Sequence, residues 1–121
     1  VYDVVRGLRG MDKARRAAGL PELGDGGVGV RECGGVVGGM DVGGFRLDGL
    51  RDVLSGLRCG DALAYTLRGH TVCAGCEGRR YWHCDSATGV FISFGDDVRG
   101  LCDFALRGVG AHESYSGVVF T

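Results

Sequence analysis

The chain has 121 residues, a formal net charge of −1, 45% apolar and 24% charged residues, 25 glycines, one proline and six cysteines. At this length one domain spanning 1–121 is expected, and the balance of apolar and charged residues excludes a disordered chain. No apolar run reaches the roughly 18–20 residues of a membrane span, and a charge near zero gives no electrostatic case for nucleic acid or an anionic membrane.

The expected elements begin with two short helical pieces in 1–19. Val1, Val4, Val5 and Leu8 share one face, Asp12 is placed to cap the second piece, and Gly19 and Pro21 stop it. A Gly-rich turn over 25–30 leads into a strand with Val28 and Val30 on one face. Residues 34–44 read as loop because of their Gly pairs, and 44–47 as a short strand. Asp48 then caps an amphipathic helix whose apolar face is Leu47, Leu50, Val53, Leu54 and Leu57. From 61 the pattern turns strand-like. Strands are expected over 61–67, 70–76, 81–85 and 90–94, with turns at Arg68-Gly69, Glu77-Gly78-Arg79-Arg80 and 86–89. Asp96 or Asp97 caps a last helix with Val98, Leu101, Cys102 and Ala105 inward, closed by Gly108, and 118–120 forms a final strand. Consecutive antiparallel strands flanked by helices define an α+β class, with four to six strands and two or three helices. The expected core is Leu50, Leu54, Leu57, Leu63, Val72, Trp82, Phe91, Phe94 and Leu101. Exposure of Val36-Val37 and of the edge at residues 118–120 would suit a structural domain of a multi-protein assembly, because uncovered strand edges seek partners.

Several features of the composition bear on compartment and stability. Asn and Gln are absent, one Lys stands against thirteen Arg, and one Ile against many Val, a bias expected from GC-rich coding. Many of the glycines then need no special backbone role. Residues 1–6 show no charged lead before an apolar core, so no signal peptide is expected. The thiols are expected reduced, in a reducing compartment or a virion. The start without Met points to a fragment or a processed chain.

The cysteines offer two kinds of chemistry. In His70-x2-Cys73-x2-Cys76-x6-His83-Cys84, zinc would take Cys73 and Cys76 together with His83 or Cys84, since four tetrahedral soft ligands suit that ion. His83 and Cys84 are adjacent, so in a strand they face opposite ways and one of them at most serves. The plainer reading makes Cys73 and Cys84 small apolar residues on a hairpin. The other chemistry is nucleophilic. Cys59 at the start of a helix would gain thiolate character, with His83 as base and Asp85 to orient it. Against this, the segment after Cys59 reads as a strand, and no Asn or Gln exists to hold an oxyanion or an imidazole. Asp96-Asp97 fits a cap better than an acid–base pair. Gly34-Gly35-Val36-Val37-Gly38-Gly39 lacks the Lys-Ser/Thr of a phosphate loop. Arg79-Arg80-Tyr81-Trp82 reads as a solvated hairpin tip with Trp82 inward.

Taken in order, Gly69-His70-Thr71-Val72-Cys73-Ala74 and Gly78-Arg79-Arg80-Tyr81-Trp82-His83-Cys84-Asp85-Ser86 resemble the strand–turn–strand of the papain-like ubiquitin-specific peptidase domain at the N-terminus of herpesvirus large tegument proteins. Gly89-Val90-Phe91-Ile92-Ser93-Phe94 resembles the strand that follows, 97–106 the next helix, and 50–57 the helix upstream. The resemblance covers about the last 75 residues and implies a papain-like half-barrel. It places Asp85 at the family's catalytic Asp, but the catalytic His position, two residues on, is Ala87. The family's nucleophilic Cys segment and oxyanion Gln have no counterpart. The resemblance thus implies a scaffold that has lost its proton-transfer set. Such a module would be non-catalytic and bind a protein, either a ubiquitin-like one or a capsid or assembly component, or serve as a structural part of a larger, viral assembly. The alternatives are an active cysteine peptidase or deubiquitinase using Cys59, His83 and Asp85, and a zinc-stabilised binding module on Cys73, Cys76 and His83. No other cofactor is expected.

Overall fold

The computed structural model describes residues 29–85 and 87–121, with Asp12 and Arg16, both helical; the remainder of the two expected N-terminal helical pieces lies outside the described residues. The strands are β1 (Val30–Val36), β2 (Met40–Val42), β3 (Phe45–Leu47), β4 (Ala62–Leu67), β5 (His70–Glu77), β6 (Arg80–Asp85), β7 (Val90–Gly95) and β8 (Ser114–Phe120). The helices are α1 (Leu50–Ser55) and α2 (Val98–Ala105). Six strands form one sheet in the order β1-β8-β4-β5-β6-β7, every neighbouring pair antiparallel, and β2 and β3 form a separate hairpin. No helix among the described residues is long and apolar enough to cross a membrane.

Two hairpin turns set the register of the central strands. Arg68 and Gly69 both take positive φ, 54° and 75°, as do Gly78 and Arg79, 55° and 65°. A two-residue loop with both residues left-handed matches the right-handed twist of the strands it joins. It fixes Leu67 opposite His70, and Glu77 opposite Arg80. Side chains alternate from there. Leu63, Tyr65, Ala74, Tyr115 and Val119 face the helices and pack on Leu50, Leu54, Leu57, Leu101 and Cys102. On the opposite face Ala62, Ala64, Cys73, Trp82, Cys84, Val118 and Phe120 are buried as well, so the middle of the sheet is apolar on both sides.

The helices lie side by side, with Arg51 bonded to Asp103 at 2.8 Å and Ser55 Oγ 3.4 Å from Cys102 Sγ. Asp97 caps α2 by accepting from the Gly100 N–H at 2.9 Å. α1 differs from expectation. Its N-cap is Gly49, and Asp52 three residues later accepts the Gly49 N–H at 3.0 Å, while the Asp48 carbonyl accepts from the Tyr115 hydroxyl at 2.8 Å.

Three further expectations are corrected. Residues 34–36 belong to β1 and 40–42 to β2, where loop was expected. Gly has little strand preference of its own, but β8 supplies a template and pairs Gly34 with Ser116 and Gly35 with Tyr115. Residues 118–120 form no edge. β8 lies between β1 and β4, and Val118, Val119 and Phe120 are fully buried, as is Val37 nearly so. Phe91 is 38% exposed and stacks on Trp82 at the sheet margin, with ring centroids 6.0 Å apart, while Val72 and Phe94 are half-buried against the core.

Candidate functional site

On the helical face, beyond the C-terminal end of α2, the sheet opens into a cleft of about 580 Å³. Leu67, Val72, Val90, Ile92 and Phe104 make its apolar walls, and Tyr65, Arg68, His70, His83, Asp85 and Arg107 supply its polar groups. The Arg68-Gly69 turn brings His70 to the base of one hairpin. The next hairpin brings Asp85 back beside it, one residue past the pairing of Cys73 with Cys84. His70 Nε2 lies 2.7 Å from Asp85 Oδ2, and Asp85 Oδ1 accepts the Ala87 N–H at 3.0 Å. Burial pushes the Asp85 carboxyl up, but the His70 hydrogen bond and the Ala87 N–H outweigh it and hold the group below the ordinary carboxylate range.

Deeper in, Tyr65 Oη and His83 Nε2 are 2.7 Å apart and buried. Burial pushes the phenol well above its usual value, so the phenol keeps its proton in this pair. Burial, aided by the Arg107 charge and opposed by Asp85, lowers the imidazole to about 4. His83 is therefore neutral at physiological pH, wedged edge-on against Phe104 with centroids 5.0 Å apart. At the rim, Arg68 grips Glu113 through two nitrogens and donates to the Gly108 carbonyl at 2.8 Å. The Arg68 hydrogen bonds and the Gly110 N–H hold the Glu113 carboxyl down to about 2.

The residues singled out from the sequence are dispersed. Asp85 and His83 both line the cleft, but each has another partner. Cys59 is exposed and does not line it. The Gly60 N–H bonds the Cys76 carbonyl at 2.8 Å, which places Cys59 toward the Glu77 and Arg80 end of the β5–β6 hairpin, away from Asp85. The zinc set does not converge. Cys76 follows Ala74 and His83 on one face, whereas Cys73 pairs with Cys84 on the other, because strand side chains alternate. No group of three His, Cys, Asp or Glu side chains able to hold a metal occurs among the described residues. Cys73 is buried, which pushes its thiol up to about 12.

With this geometry the chain can be set beside known proteins. Its fold is similar to part of a viral protease. The chain is similar to the ubiquitin-specific protease encoded by murine cytomegalovirus tegument protein M48, solved in complex with a ubiquitin-based suicide substrate, at a TM-score of 0.57 and 18% identity. The match covers 78% of this chain and 47% of that one, so the chain spans about half the length of the protease it resembles. No family model and no curated protein matches the sequence.

Tyr65, Arg68 and Arg107 were not expected at a site, and His70 was read only as the first residue of the zinc motif. A signal for His70 did exist. The two-residue turn and the strand pairing place His70, Val72 and Asp85 on one face, and counting along both hairpins would have found the pair. Arg107 had none, since it follows α2 and only the packing of that helix brings it to the cleft.

Proposed function

We propose that this chain is a papain-like module that binds a protein partner of the ubiquitin-like class and does not hydrolyse peptides with its own cysteines. The observation that carries the proposal is that no cysteine lines the cleft holding Asp85. A thiol without an adjacent base is only a few per cent thiolate at neutral pH. His83 is engaged by Tyr65, and burial and the Arg107 charge hold it neutral, so it is poorly placed to serve Cys59. The position two residues after Asp85, where the resemblance sets the catalytic His, is Ala87. Support for the partner class comes from the similar protease, which was solved with a ubiquitin-based suicide substrate. Its being a tegument protein supports a companion role for this module as a structural part of a larger viral assembly.

The test is reaction with ubiquitin vinyl sulfone and iodoacetamide, alongside an NMR titration with ubiquitin. Reversible shifts without a covalent adduct are expected. Rapid stoichiometric labelling of Cys59 that His83→Ala abolishes would overturn the non-catalytic reading. An unchanged spectrum in excess ubiquitin would overturn the partner class.

A further inference from the structure

The two carboxylates at the cleft have partners other than Arg107. Asp85 is hydrogen-bonded to His70, and Glu113 is ion-paired with Arg68. Arg107 has no carboxylate partner among the described residues. Its Nη1 donates to the Phe104 carbonyl at 2.8 Å, and its guanidinium carbon stands 4.0 Å over the Phe104 ring. The guanidinium is thus held in one place, with no side-chain partner for its remaining N–H groups among the described residues, which lowers the entropy lost when it meets an anion. Beneath it lie the neutral His83 and the apolar side chains of Leu67, Val72, Ile92 and Phe104. A fixed cation over an apolar floor suits a ligand with one anionic group and an apolar body. Val90 and Ile92 of β7 form one wall, and β7 ends the sheet, with no strand on its outer edge among the described residues. An open strand edge beside a pocket suits an extended chain, whose backbone pairs with the edge while alternate side chains enter the pocket.

We infer that the cleft binds the C-terminal end of an extended peptide, the terminal carboxylate on Arg107 and an apolar last side chain on the floor formed by Leu67, Val72, Ile92 and Phe104. The site is assigned from its own geometry and stands apart from the ubiquitin-like reading. A free apolar carboxylic acid has the same headgroup chemistry, and the experiment separates the two sources.

Three probes are titrated into the isotopically labelled chain and followed by NMR: the acetylated tripeptide Ala-Val-Phe with a free carboxylate, its C-terminal amide, and 3-phenylpropionate. The free acid should shift the Ile92 methyl and Arg107 side-chain signals, and the amide should bind about tenfold more weakly, as loss of one charge-assisted contact implies. Arg107→Gln should bring the acid down to the affinity of the amide. Arg107 is exposed, so the variant should stay folded, and its amide spectrum checks this independently of binding. Equal binding of acid and amide, no binding of either, or an Arg107→Gln variant that keeps the preference overturns the proposal. If 3-phenylpropionate binds as tightly as the tripeptide acid, the peptide assignment fails.

Discussion

Tyr65 and His83 share a buried hydrogen bond between the sheet and α2, and the pH response of the fold follows from that burial. The imidazole titrates near its ordinary 6.5 in the unfolded chain and at about 4 in the folded one. Between those values the unfolded chain binds more protons, so stability is complete above the window and falls as pH drops through it. Melting curves at about pH 7 and about pH 4.5 should show a lower melting temperature in acid, and His83→Gln should shrink the difference across that interval. A wild-type and a variant curve that fall in parallel would assign the loss elsewhere. Glu113 acts in the same direction at lower pH, because Arg68 and the Gly110 N–H depress it to about 2. The candidate site was partly legible at this level. Asp85 and His83 could be named from the sequence. Their partners His70 and Tyr65 arrive from other strands, so finding them takes the register of both hairpins and not the local pattern alone.

Trp82 lies directly across from Gly75 in the β5–β6 pair. A Cβ at Gly75 would stand 2.6 Å from the Trp82 ring and 2.9 Å from the Asp61 carbonyl. Gly75→Ala should therefore cost about 1–3 kcal/mol through overpacking, read as a shift in urea midpoint; a neutral result would mean that the Trp82 ring can slide aside. Asp97 makes the capping bond of α2, and Asp97→Ala should cost about 0.5–2 kcal/mol, with Asp97→Asn recovering most of it in the same denaturation assay. The elements themselves were readable where their signals were strong. The apolar spacing of Val98, Leu101, Cys102 and Ala105 marks α2, and the Arg68-Gly69 and Gly78-Arg79 turns mark the hairpins. β1 was not readable beyond its start, since a run holding Gly34 and Gly35 has no side-chain pattern to show. It is a strand because β8 pairs with it.

Leu54 is fully buried where α1 meets the sheet and α2. Removing its side chain leaves a cavity that the surrounding layers fill incompletely, so Leu54→Ala should cost about 2–5 kcal/mol. Chemical denaturation measures it, and an unchanged midpoint would take Leu54 out of the core. The layer architecture also governs the cysteines as a set. Cys73, Cys76, Cys84 and Cys102 are buried while Cys59 is exposed, so native-state alkylation should reach Cys59 first and the buried four only on unfolding. The six-stranded sheet places Asp85 in a cleft that no cysteine lines.

Turn chemistry and hydrophobic period act over a few neighbouring residues, so the α+β class, the two central hairpins, α1, α2 and most of the core could be read from the residues alone. Strand pairing settled the rest: β8 lies inside the sheet, Cys73 turns its back on Cys76 and His83, and His70 rather than His83 holds Asp85. Those outcomes depend on which strand pairs with which and in what register, and a shift of one residue would reverse every side chain.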